Sequence, residues 1–321
     1  TDEEGMLGRE CPAAECKPKY FKVKPGTGQT DSSSMACPYC AQVGDPQEFS
    51  TESQRRYARD LVSREAQQSV SKLVDGMLRD AFGLRPGQRR KSLGDFMSIE
   101  LTSRRPTPRL VTPPVEQQLR RDLVCPVCSV AFAVFGLATW CPDCGSDLFL
   151  EAVEAEFKVV RAMLGDVQNR RERLGARVAA RDLENALEDV VSTFEAVARR
   201  LVHRRLLESG MPALDAEKRV KKCGNAFQSV SRATIASVDL VAQDVFAALD
   251  ASERTELERT FEARHPVTHN AGVVDRKYLD KSGSLEREGH DVAVTTSMVT
   301  RAMELAIKAL SDFHERLFPT S

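Results

Sequence analysis

"CPVCSVAFAVFGLATWCPDCG", residues 125–145, separates two chemically different halves of this 321-residue chain. It reads Cys125-x2-Cys128-x12-Cys141-x2-Cys144. Each close pair fits a tight turn that aims two thiolates at one point, and the residues between have room for a hairpin that brings the pairs together. Four thiolates in a tetrahedron suit Zn2+, and four sulfurs leave no position open for a reactive water. The expectation is therefore a structural zinc ribbon over residues 123–150. The apolar run inside it, residues 130–140, has 11 residues. A membrane span needs about 20, so no membrane partner is expected.

Upstream, residues 1–50 carry Cys11-x4-Cys16-x20-Cys37-x2-Cys40. The wider first pair, and Ala41 where Gly145 follows the other set, make this a less regular second zinc ribbon-like module. One alternative stays open: a mixed site in which Cys37 and Cys40 join Cys125 and Cys128. Metal here would contribute folding energy directly, because the segment is poor in apolar residues. Cysteines kept in close pairs, with no secretory signal, point to a reducing, cytoplasmic setting. Cys223 stands apart in a helical stretch and reads as packing.

Between the two sets, Tyr57, Leu61, Val62, Ala66, Val70, Leu73, Val74, Met77 and Leu78 recur at three and four, which predicts an amphipathic helix over 51–82 that needs a partner surface. Residues 83–122 form a proline-broken linker, with a strand expected at "FMSIEL". Across 83–124 nine basic side chains stand against four acidic ones, with no interleaved aromatics to stack bases. Overall the formal net charge is -1, which excludes a uniformly basic nucleic-acid binder. A basic surface must therefore be local.

From 151 to 321 the period changes. Val153, Phe157, Val160, Leu164 and Val167 repeat at four and three. Leu183, Leu187, Val190, Phe194, Val197 and Leu201 do the same, followed by Val238, Val241, Val245 and Leu249. A last helix presents Val299, Met303, Ala306, Leu310, Phe313 and Leu317. One apolar seam per helix, interrupted at Gly175, Gly210 and Pro212, predicts a helical bundle. The fold class is mainly α, with two small zinc-ribbon modules of hairpins and knuckles ahead of the bundle.

Within that bundle "FEARHPVTHNAGVVDRKYL", residues 261–279, gathers Arg264, His265, His269 and Asn270 in a chain with only 5 histidines. His265 and His269 would share a helical face, Pro266 should kink or end the helix nearby, and Gly272 should release the chain. Lys277 and Tyr278 have two readings, contact with RNA or surface residues of no consequence, and the second is preferred. A helical bundle carrying R-x4-H with a histidine directly after the arginine, followed by "NAGVVDRKYL", resembles the nuclease members of the HEPN superfamily. The resemblance covers roughly 151–318 and leaves the N-terminal half outside.

The resemblance implies a metal-independent endoribonuclease, of toxin or antiviral-defence type, acting on tRNA or mRNA. Such cleavage needs a base for the 2'-OH, an acid for the departing 5'-oxygen and a cation for the phosphorane. Imidazoles of His269 and His265 suit the first two roles and the Arg264 guanidinium the third. Asn270 is expected to orient His269 or to cap the helix. One motif per chain supplies few groups, so a homodimer is expected, as the resemblance also suggests. The zinc ribbons would recognise the target, an antitoxin or another regulatory partner. The competing reading is a non-catalytic zinc-ribbon RNA-binding or scaffold protein, and a third is a regulator of transcription.

Overall fold

A computed structural model describes residues 1–16, 19–29, 33–82, 89–91, 98–100 and 121–319. Apart from two short strands and residues 121–122, which open a further strand, the basic linker expected at 83–122 lies outside the described residues. The chain divides into two units, residues 1–135 with 140–146, and residues 136–139 with 147–321.

The first unit is built on β1 (Leu7–Glu10), β2 (Tyr20–Val23), β3 (Met35–Ala36), β4 (Val43–Gly44), α1 (Glu52–Phe82), β5 (Arg89–Lys91), β6 (Ser98–Glu100), β7 (Arg121–Val124) and β8 (Ala131–Val134). Four strands form one antiparallel sheet in the order β1-β2-β8-β7, with Phe21 opposite Val134 and Leu123 opposite Phe132. Sequence spacing suggests two separate zinc modules, but the pairing of β2 with β8 merges their strands into one sheet. Neither hairpin alone has an apolar face large enough to stand in water, and two or more such hairpins share a core at lower cost. That core is aromatic: Phe21 meets Phe49 and Tyr39 edge-on, with centroids 6.0 and 6.4 Å apart. Edge-to-face pairs of this kind add about 0.5–1.5 kcal/mol beyond area burial. The Tyr39 hydroxyl donates to the Tyr20 carbonyl at 2.7 Å and accepts from the Phe135 amide at 3.1 Å, so the phenol is satisfied where it is buried.

The loop "KPGTGQ" is held by the same sheet. Lys24 donates to the Ala131 carbonyl at 2.8 Å, and the Gln29 amide donates to Asp143 at 2.7 Å. Gly28 has φ +82°, and a Cβ there would lie 2.8 Å from Val130 Cβ. Only glycine fits that approach. The expected helix over 51–82 is present as α1, opened by a capping box in which Thr51 and Gln54 exchange side-chain to backbone hydrogen bonds, both at 3.1 Å. Its apolar stripe finds no cover among the described residues: Val62, Leu73 and Met77 remain 65%, 61% and 62% exposed. The strand expected in "FMSIEL" is β6, paired antiparallel with β5.

The second unit comprises α2 (Phe149–Leu174), α3 (Ala176–Glu208), α4 (Ala213–Lys222), a 3-10 turn (Ala226–Gln228), α5 (Val230–Val241), α6 (Ala251–His269), α7 (Arg276–Ser282) and α8 (Thr296–Leu317). The seams read from sequence on α2 and α8, and nearly all of that on α3, are buried. Gly175, at φ +96°, makes the turn between α2 and α3. Phe194 of α3 stacks on Phe246 at 5.2 Å and meets Phe261 of α6 edge-on at 5.4 Å, which places an aromatic centre where the helices converge. A polar brace closes one end. His314 of α8 stacks on Phe149 with centroids 5.1 Å apart, and Asp147 takes an ion pair from Arg204 at 2.6 Å. Burial alone would raise the Asp147 carboxyl, but His314, the Phe149 amide and Arg204 outweigh it and hold the pKa down to about 2.

The pattern Val238, Val241, Val245 and Leu249 does not form one helix. α5 ends at Val241, with Ala242 left-handed at φ +57°. Ser237 Oγ accepts from the Val245 amide at 3.1 Å and Asp244 caps the Phe246 amide at 2.9 Å. Those short side chains give the backbone partners outside a helix, and a compact turn buries Val245, Phe246 and Leu249 instead.

Candidate metal centres and a basic helical cleft

The cysteines assemble in the two sets that their spacing suggests, and not in the mixed one. Cys11, Cys16, Cys37 and Cys40 bring their sulfurs together, as do Cys125, Cys128, Cys141 and Cys144, each set lying within 4.8 Å of one another. Sγ separations are 3.6 Å for Cys11–Cys40, 3.7 Å for Cys16–Cys37, 3.7 Å for Cys125–Cys144 and 3.5 Å for Cys128–Cys141. Zn–S bonds of about 2.3 Å in a tetrahedron demand sulfurs about 3.8 Å apart. Both sets are thus compatible with zinc.

The three Cys-x2-Cys turns share one backbone. The amide of the residue after the second cysteine donates to the carbonyl of the first in each: Ala41 to Cys37 at 3.0 Å, Ser129 to Cys125 at 2.9 Å and Gly145 to Cys141 at 3.1 Å. The residue after the second cysteine is left-handed every time, with φ of 60° at Ala41, 63° at Ser129 and 70° at Gly145. Ala41 therefore does not mark a different kind of site. It accepts a conformation that costs an L-residue about 1 kcal/mol. Amides turned inward, such as Tyr39 to Cys37 Sγ at 3.4 Å and Asp143 to Cys141 Sγ at 3.4 Å, compensate negative sulfur.

The helical unit contains a different site. α6 begins at a capping box between Asp250 and Glu253 and runs through Pro266 to His269, one turn further than proline suggests. Pro266 lacks the amide that would reach back one turn, but its own carbonyl accepts from Asn270 and Gly272, both at 2.9 Å, so the helix end is sealed. Ala271 at φ +52° and Gly272 at φ +85° then turn the chain out, as expected of Gly272. The last two turns of α6 aim Arg264, His265 and His269 into a cleft of about 230 Å³. Asn225, Gln228 and Arg232 line it from the α4–α5 side, and Lys277 and Lys281 from α7.

Arg264 is gripped from behind. Glu188 of α3 accepts from both its Nε and its Nη2, the latter at 2.6 Å, and Gln228 Oε1 accepts from Nη1 at 2.8 Å. Thr268 also donates to Glu188 at 3.0 Å. Burial pushes the Glu188 carboxyl up, but the Arg264 charge and these hydrogen bonds outweigh it and keep it ionised, below its ordinary range. The bidentate grip fixes the guanidinium plane at the edge of the cleft that Arg264 lines. His265 and His269 lie with ring centroids 5.2 Å apart. Desolvation, then the charges of Lys277 and His269, lower the His265 pKa, so its imidazole is neutral near pH 7. Glu262, which pairs with Lys281 at 3.7 Å, is the carboxylate lining the cleft.

Some expectations shift. Asn270 Nδ2 donates to the Val273 carbonyl at 2.7 Å, so of its two expected roles it serves the helix end and does not orient His269. Lys277 lines the cleft, whereas Tyr278 is 2% exposed, buried in the core, and is not among the cleft's lining residues. Cys223 packs against the core as expected, but it is half-buried and also lines a surface hollow. Glu188, Gln228, Arg232 and Lys281 escaped the sequence reading. A carboxylate directly beside the buried Leu187 of the α3 seam was the one available signal. Among known proteins, no family model, no curated protein and no solved structure matches this chain.

Proposed function

We propose that the chain is a metal-independent endoribonuclease of HEPN type, with its activity in the helical cleft and structural zinc in both cysteine sets. One observation carries the reading: two imidazoles and an arginine converge in a cleft whose other charged groups are mostly cations. Neutral His265 accepts the proton of a ribose 2'-OH. The 2'-oxygen then bonds to phosphorus as the bond to the 5'-oxygen breaks, and His269 protonates that leaving oxygen. Arg264, held in plane by Glu188, stabilises the doubly charged phosphorane, and Lys277 and Lys281 draw in the flanking phosphates. The products are a 2',3'-cyclic phosphate and a 5'-hydroxyl. DNA lacks the nucleophile and survives.

The cysteine sets supply no chemistry to this step, because four thiolates complete the shell of a zinc ion. Their part in the proposal is to recognise an RNA target or a regulatory partner such as an antitoxin. A homodimer, placing two α6 ends around one RNA, is the remaining part. A second reading, a non-catalytic RNA-binding scaffold, has its own support: Glu188 and Gln228 already engage Arg264, as they would in a purely structural pair.

The discriminating experiment is brief incubation of total RNA with the protein in EDTA, beside Arg264→Ala and His269→Ala. Cleavage by the native chain, reduced at least about 100-fold in each variant, supports the nuclease, since one acid or base contributes about 100- to 10,000-fold. Equal RNA binding with no cleavage by all three supports the scaffold. Light scattering of the same preparation reports the dimer.

A further inference from the structure

Beside the cleft, α4, the 3-10 turn and α5 enclose a second hollow of about 470 Å³, within the size range of ligand pockets. Its floor is apolar, formed by Ala226, Ile235, Ala236 and Leu240, and Ile235 is 62% exposed although it is a large aliphatic side chain. Its rim is basic. Arg219 and Lys222 stand at the end of α4, and Arg232 rises from the first turn of α5, with Asp239 as the one acidic member. Arg232 lines both the hollow and the catalytic cleft, and Asn225, which also lines the cleft, accepts from its Nη1 at 2.9 Å. The two concavities are therefore neighbours joined by one anchored guanidinium.

We infer that this hollow is a subsite for an unpaired nucleotide of the RNA chain next to the cleaved phosphodiester. An apolar floor under a cationic rim matches a nucleotide, whose base is flat and poorly hydrated on its faces and whose phosphate is anionic. The floor takes the base, the Arg219 and Lys222 charges take its phosphate, and Arg232 spans to the phosphate held at Arg264. Recognition by contact with a base face tolerates sequence, so the subsite selects single-stranded over duplex RNA and not one base over another. Duplex RNA keeps its bases stacked inside and cannot fill the floor. This inference rests on the nuclease reading of the cleft.

The test uses the full chain with zinc bound and 2'-O-methyl oligouridylates, which cannot be cleaved, labelled for fluorescence anisotropy. A hexanucleotide should bind roughly tenfold more tightly than a dinucleotide, the gain of about 1.4 kcal/mol expected from seating one base on the apolar floor beside the cationic rim. Ile235→Asp and Arg219→Glu, both at exposed positions, should abolish that gain while their circular dichroism stays native. His269→Ala should keep it. A length gain that survives both substitutions overturns the subsite. Native cleavage of RNA with no length gain overturns the subsite alone, whereas absence of both binding and cleavage removes the nuclease reading beneath it.

Discussion

The sheet unit and the helical unit answer the same demand, burial of enough surface to offset chain entropy, with different means. The first has short strands of two to four residues and a small aromatic centre around Phe21, and it places eight thiolates in two close sets. The second has seams that run the length of α2, α3 and α8 and needs no cysteine. A helical seam gathers many apolar side chains per residue of chain, while hairpins as short as these bury few. Two cysteine sets able to hold a metal would supply the difference.

The most forceful attempt to break this comparison is removal of metal. Structural zinc contributes about 10–16 kcal/mol in small domains, so prolonged chelation should open residues 1–135 to trypsin while the helical circular dichroism is largely kept. Two zinc ions per chain should be released. Melting of the bundle together with the cysteine unit would contradict stabilisation of the two units by different means.

Second in size is a cavity in the bundle. Phe194, fully buried against Phe246 and Phe261, should cost about 3–5 kcal/mol on replacement by alanine. Denaturant titration of Phe194→Ala should show that loss, with zinc content per chain unchanged. A loss below about 1 kcal/mol would mean that the aromatic centre does not hold the helices together.

Acid should separate the two units more finely. Metal leaves thiolates as they protonate, so the cysteine unit should fail first. In the bundle, Asp147 has a folded pKa of about 2 against an ordinary 3.8. A depressed carboxylate stabilises the fold above its unfolded pKa and loses that contribution as pH falls toward the folded value. The melting temperature of the bundle should therefore drop between about pH 4 and pH 2, by a few degrees more in the native chain than in Asp147→Asn. Parallel acid curves for the two proteins would discard the brace of Asp147, Arg204 and His314.

The smallest effect concerns the knuckles. Since Ala41 is left-handed like Gly145, Ala41→Gly should relieve about 1 kcal/mol and slow zinc loss to a chelator. Faster loss would show that the first set is built differently from the second.

Legibility in sequence followed the range of the interaction. Cysteine spacing announced both metal sets, and period announced α2, α3 and α8, because ligands in a turn and side chains on one helix face are close in sequence. The exposed stripe of α1 shows the limit, since period predicts a helix and not what covers it. Arg264, His265 and His269 were visible as a cluster for the same local reason. Their neighbours were not: Glu188 lies 76 residues from Arg264, and the cations of α7 reach the cleft only after the chain turns at Gly272.

By itself, then, the sequence determined the two sets of four cysteines, the helical seams and the polar end of α6, all set by chemistry repeating over a few residues. Tertiary structure alone decided that β2 pairs with β8, joining strands next to the two cysteine sets in one sheet, and that Glu188, Arg232 and Lys281 surround the α6 end. Those outcomes depend on which faces meet once water is expelled, a choice made by packing the whole chain and written in no short segment of it.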